Sequence, residues 1–432
     1  MPKIAFIGAG STVFARNVLG DVMLTPALCR AEIALHDIDP VRLDESEAML
    51  KNINKNCNEN RARIVSFEDR REALRDATYV ACAIQVGGYK PATVIDIEVP
   101  KKFGLRQTIG DTLGIGGIFR GLRTLPVFFD IARDMEELCP GAWLLNYVNP
   151  MAIITGAMLR YTNVKTVGLC HSYQVCADTI LRVLDMPRDD IRYKIAGINH
   201  MAWLLEIRRG REDLYPEIRR RAAEGADLPW DWVRVEMLRR FGYYVTESSE
   251  HNAEYLPYFI KSNYPDLIDE YKIPLDEIIR RYEKQGADWE QMRDELVHNP
   301  VLTHVRTNEY ASYIMEAMEN NMPINIGGNV LNTGLIPNLP GEAVVELPCL
   351  VDAFGVQGTY IGNLPEQLAA LNRTNINVQL LTIAAHITGK REHIYHAAMT
   401  DPHTAAELSL DHITALCDEM IAAHGDFLPK YR

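Results

Sequence analysis

The chain has 432 residues, 47% of them hydrophobic and 24% charged, the balance of a water-soluble globular protein with more than one substructure. Its 45 basic residues against 58 acidic ones leave a net charge of −13, which excludes a polyanionic partner such as nucleic acid. No apolar run reaches membrane-spanning length, no secretory leader precedes the first strand-like run, and the eight scattered cysteines include no CxxC, so reduced thiols in a cytoplasm are expected.

In chain order, β-rich runs at 3–8, 31–37, 62–67, 78–86, 142–148 and 165–170 alternate with helical patterns at 12–25, 40–58, 70–76, 120–138, 151–161 and 173–185. Alternation of this kind predicts an α/β fold, a Rossmann-type doubly wound parallel sheet with helices on both faces. Pro126 is expected to kink the fourth helix or to begin a new segment. From about Tyr193 the texture changes to one or two longer strands, then charge-rich helices over 212–300, and helical spacing again over 375–425. The expected division is a nucleotide-binding domain at 1–192 and a mixed α+β domain at 193–432, closely packed because no flexible linker separates them.

After the first strand, Gly8-Ala9-Gly10-Ser11-Thr12-Val13 keeps two glycines of the dinucleotide fingerprint and replaces the third by Val13. Gly8 permits a tight turn, Gly10 lets a pyrophosphate approach the backbone, and Ser11 and Thr12 offer hydroxyls at the helix start. Asp37 closes the second strand, where its carboxylate accepts ribose hydroxyls and repels a 2′-phosphate, so NAD is favoured over NADP.

Ligands of such sheets sit beyond the carboxyl ends of the strands, where Gln85 and Gly87, Asn149, and Cys170-His171-Ser172 collect. Taken singly, each has an ordinary reading: a glycine turn, an Asn-Pro turn, a small buried cysteine. Cys170 and His200 together suit a divalent transition metal such as Mn²⁺ with open positions, and a thiolate ligand predicts a need for reductant. Asp111 lies in a glycine-rich stretch, 107–117, either a mobile flap over the cofactor or a capping aspartate. The stretch 247–258 crowds acids, a histidine and two tyrosines, which a solvated helix explains poorly.

These segments together resemble glycoside hydrolase family 4: FIGAGST at 6–12, ALHDID at 34–39, GGY at 87–89, LNYVNPMA at 145–152, GLCHS at 168–172, AGINHMA at 196–202, VTESSEH at 245–251, TNINVQ at 374–379 and HAAMTDPHTAA at 396–406. The Cys-His-Ser version at 170–172 is similar to the branch that cleaves unphosphorylated α-galactosides. The resemblance implies an NAD-dependent, metal-dependent hydrolysis with retention, outside the two-carboxylate route. Hydride leaves C3 for NAD⁺, the ketone acidifies C2, a base takes that proton, the C1 substituent departs, water adds, and the hydride returns. It implies Cys170 and His200 as metal ligands, Asn149 as a contact to sugar and nicotinamide, and His171 as acid where relatives have Asp. It further implies Tyr255, or Tyr258 beside it, as base with Asp111 supporting it, and a homodimer or homotetramer. Activity on α-glucosides or α-galacturonides is the alternative within the family. A lactate/malate-type dehydrogenase shares the predicted architecture, and an NAD-sensing protein without activity is a third reading.

Overall fold

A computed structural model describes residues 1–224 and 228–432; residues 225–227, inside the 212–300 stretch, lie outside the described residues. Six strands, β1 (Lys3–Ile7), β2 (Glu32–His36), β3 (Arg63–Phe67), β4 (Tyr79–Cys82), β5 (Trp143–Asn146) and β6 (Lys165–Gly168), pair in parallel in the order β3-β2-β1-β4-β5-β6. This is the doubly wound order, and it puts the exits of β1, β4, β5 and β6 side by side. Ile4 and Phe6 of β1 enter one apolar cluster while Ala5 and Ile7 enter another, so both faces of the sheet are covered by helices.

The sheet continues without a break. Strands β7 (Ile191–Ile198) and β8 (Met201–Arg209) form the two strands expected after Tyr193, an antiparallel hairpin turning at Asn199-His200. The short β9 (Glu212–Asp213) and β10 (Tyr244–Val245) pair with β8. The pair β11 (Ile324–Leu331) and β12 (Val344–Asp352), extended by β13 (Gly355–Gly358), lies between β6 and β7, so the full order is β10-β8-β7-β12-β11-β6-β5-β4-β1-β2-β3. Sequence pattern did not single out β11 to β13, because glycines break the alternation in β11 and Pro348 stands inside β12.

Two expectations are corrected. The fourth helix begins at Gly114 rather than 120 and runs to Leu138 through Pro126, so no new segment begins at the proline. Its burial between the helices Met151–Tyr161 and Glu366–Thr388 overrides the missing donor of the proline. The charge-rich stretch resolves into Tyr215–Glu224, Trp232–Phe241, Ser249–Tyr255, Asp266–Glu270 and Glu277–Val297. No described helix is long and apolar enough to cross a membrane.

Candidate active site

The turn after β1 has the conformation its glycines allow. Gly8 sits at φ +96, and a Cβ there would lie 2.5 Å from the carbonyl oxygen of Ala83. Gly10 donates its N–H to Asp37 Oδ2 at 2.7 Å, and a Cβ on Gly10 would lie 2.8 Å from that same oxygen. Asp37 therefore holds the turn. Ser11 is exposed and its side chain caps nothing, whereas Thr12 is buried and accepts from Ser46 Oγ at 3.1 Å, so Ser11 carries the free hydroxyl at the helix start. Val13 points to solvent, and no third glycine is required for packing. Gln85 is engaged, donating to Thr93 Oγ1 at 3.1 Å and accepting from Tyr282 at 2.7 Å. Gly87 serves the turn at φ +78 and does not line the cavity.

Beyond the strand ends lies a cavity of about 450 Å³, walled by Phe14, Ile84 and Gln85 on the nucleotide side and by Asp111, Arg120, Asn149, Cys170, His171, His200, Glu247 and His251 elsewhere. Cys170 stands at the N-cap of the helix His171–Val183. His200 occupies the β7–β8 turn at φ +60, and Glu247 follows β10 at φ +70. One ligand atom from each of Cys170, His200 and Glu247 lies within 4.8 Å of the others. Burial works against a charged His200, yet Glu247 and Cys170 beside it raise its pKa to about 10. A sulfur, nitrogen and oxygen set of this kind fits a borderline divalent transition metal. Nδ1 of His200 is 3.1 Å from the Tyr255 hydroxyl, which orients the ring and leaves Nε2 toward Glu247 at 3.6 Å.

Asp111 is buried, which opposes its charge, but His251 and Arg120 hold its carboxyl well below the usual range. Asn149 donates to Asp111 Oδ2 at 3.4 Å, and Arg120 Nε donates to the Asn149 carbonyl at 3.2 Å. His251 stands between two acids: Nδ1 is 2.8 Å from Ser248 Oγ and 3.3 Å from Glu247 Oε1, and Nε2 is 3.7 Å from Asp111 Oδ1. The 107–117 stretch is no flap. Glu254 accepts the backbone N–H groups of Thr108, Ile109 and Gly110 at 2.8, 3.1 and 2.8 Å, which ties the loop to the helix Ser249–Tyr255.

The tyrosines expected as bases do not reach the cavity. Tyr255 is fully buried behind His200, and burial together with Asp111, Glu254 and Glu247 pushes its phenol well above the ordinary value. Tyr258 is exposed on the surface against Phe241. The residues that line the cavity from this region are Glu247 and His251, four positions apart and paired with one another. His171 does line it; its Nε2 meets the buried carboxylate of Glu309 at 2.8 Å, a pairing that outweighs burial and raises the imidazole pKa. Glu309 was invisible to sequence reasoning because it lies 138 residues away. Asp21 holds the strap that carries it, accepting from Thr307 N at 2.8 Å and lying 2.7 Å from His304 Nε2.

The family 4 glycosyl hydrolase model matches residues 3–186, and that of the family 4 glycosyl hydrolase C-terminal domain matches residues 195–404. The chain belongs to glycosyl hydrolase family 4. An α-galactosidase of Bacillus subtilis is 63% identical over the whole of both chains. Among solved structures, a 6-phospho-α-glucosidase from gut microorganisms, in complex with NAD and Mn²⁺, covers 100% of both chains at TM-score 0.82 and 21% identity. A malate dehydrogenase of Plasmodium falciparum covers 91% of this chain and 100% of its own at TM-score 0.51 and 14% identity. The family-4 member therefore has the architecture expected of it, one shared with malate dehydrogenase.

Proposed function

We propose that this chain is an NAD- and divalent-metal-dependent α-galactosidase acting on unphosphorylated α-galactosides with retention. The observation that carries the reading is the meeting of Cys170, His200 and Glu247 in the cavity at the strand ends that Phe14, from the helix after the dinucleotide turn, also lines. The identity to the Bacillus subtilis α-galactosidase supports the sugar, and so does the lining: Arg120 is the one arginine among the described cavity residues, no lysine joins it, and its charge already faces Asp111, which leaves little to neutralise a phosphate.

Gly8, Gly10, Ser11 and Asp37 would hold NAD, with Thr12, Gln85 and Gly87 shaping the turns around it; Cys170, His200 and Glu247 would hold Mn²⁺ or a similar ion. When bound, NAD⁺ supplies a hydride acceptor for C3 that later gives the hydride back, and the metal supplies Lewis-acid charge for the adjoining sugar oxygens. Asn149, fixed by Arg120 and Asp111, orients the sugar. His251 takes the C2 proton at Nε2, the nitrogen that Asp111 Oδ1 approaches to 3.7 Å and whose imidazolium that carboxylate would stabilise, while Ser248 and Glu247 hold Nδ1. Tyr255 then serves His200 rather than the sugar. His171, whose protonated form Glu309 favours, gives a proton to the departing oxygen.

The division at 1–192 and 193–432, a cytoplasmic location and a homodimer or homotetramer complete the proposal; eight free cysteines suit a reducing compartment. The test is a p-nitrophenyl α-galactoside with NAD⁺, Mn²⁺ and dithiothreitol, followed at the nitrophenol and NADH wavelengths. Nitrophenol release without stoichiometric NADH is expected; one NADH per sugar consumed would make the protein a dehydrogenase.

A further inference from the structure

The sheet has two narrow seams, one where the parallel half meets the antiparallel half and one within the antiparallel half. β6 touches β11 at one pairing, Gly168 with Asn329, and β12 touches β7 at one pairing, Glu346 with Gly197. Asn329 and Glu346 are themselves opposite one another on β11 and β12. Both seams therefore run through two neighbouring polar residues, at positions where a sheet interior ordinarily takes apolar ones.

Their side chains knit the seams. Asn329 Nδ2 donates to the Gly168 carbonyl at 3.3 Å and to Glu346 Oε1 at 2.9 Å, and Asn199 Nδ2 donates to the same Oε1 at 3.1 Å. All three side-chain groups are shut away from water, with Asn329, Glu346 and Asn199 at most 1% exposed. The other oxygen of Glu346 and both amide oxygens have no partner. A core selected for stability alone would replace such a half-satisfied group by apolar residues. What the arrangement does instead is join two places: Gly168 lies two residues before Cys170, and Asn199 immediately precedes His200.

We propose that Glu346 is a positioning residue for the metal site, bridging through Asn329 and Asn199 so that the ends of β6 and β7 hold Cys170 and His200 at ligand separation. This rests on the metal-site reading above. The bridge acts through its two accepted hydrogen bonds and touches neither sugar nor ion.

The experiment measures Mn²⁺ binding to the NAD-loaded protein by the electron paramagnetic resonance of free Mn²⁺, alongside NAD affinity and melting temperature. Glu346→Ala, which removes the shared acceptor, is expected to raise the Mn²⁺ Kd about 10- to 100-fold, the range of lost outer contacts at metal sites, with NAD affinity unchanged. Glu346→Gln keeps a carbonyl acceptor and is expected to recover most of the loss. Asn199→Ala, which cuts the His200 arm alone, reads the same quantity if Glu346→Ala does not fold. Unchanged Mn²⁺ affinity in Glu346→Ala and Asn199→Ala would overturn the proposal, as would NAD affinity falling in parallel. If Cys170→Ser binds Mn²⁺ as the parent does, the metal-site reading itself has failed.

Discussion

The nucleotide side and the sugar side of this cavity are built on different length scales. At the dinucleotide turn, Gly8 bonds to His36 and Gly10 to Asp37, partners 27 residues apart at Gly10 and joined by one βαβ unit. On the sugar side, His171 meets Glu309 across 138 residues and Asn199 meets Glu346 across 147. The first kind of site is a local motif that any copy of the unit reproduces. The second exists only once the antiparallel strands have joined the sheet. A fold shared with dehydrogenases acquires a different chemistry through its distant contacts.

That contrast is broken most severely at the metal ligands. Cys170→Ser is expected to lower kcat by about 10³-fold, the value of several kcal/mol of lost charge stabilisation, and chelator should do the same to the parent protein. NAD affinity, measured by fluorescence titration, should stay level, because the turn after β1 does not touch Cys170. Next, His251→Asn removes the proposed base and should cost about 10²- to 10⁴-fold in kcat, while Tyr255→Phe should cost less and show as weakened metal binding. A larger loss in Tyr255→Phe than in His251→Asn would restore the tyrosine as base.

Glu309→Gln comes third. Losing one charge-assisted bond to His171 should slow galactosides with sugar leaving groups about 10-fold and leave the nitrophenyl substrate, whose leaving group needs little protonation, nearly unchanged. Because Glu309 raises the His171 pKa, the imidazole stays protonated to higher pH in the parent. The alkaline limb of the pH–rate profile should accordingly move to lower pH in the variant. Smallest is Asp37→Asn, expected to weaken NAD about 10-fold and to narrow its preference over NADP, read by titration with each nucleotide.

The legible parts of the molecule follow the same division. The parallel strands, the turn at Gly8 and Gly10 and the acid at Asp37 are written in contiguous residues with a period that names the element. Cys170 and His200 were legible as chemistry at strand ends. Glu247 and His251, which line the cavity, stand in a segment that the sequence marks as crowded, but a string of residues does not tell which side of a short segment faces the cavity, and the tyrosines draw attention first. The 107–117 stretch reads as flexible from its glycines, and only Glu254, distant in the chain, reveals that it is pinned. Pro126 gave a local signal that tertiary burial overrode.

The central claim is that the bound nucleotide lends a hydride so that the C2 proton can leave, and the most direct measurement is turnover in D₂O with the product sugar examined by NMR. The account predicts galactose carrying deuterium at C2, with no net NADH. Hydrolysis at the full rate with only hydrogen at C2 would contradict it.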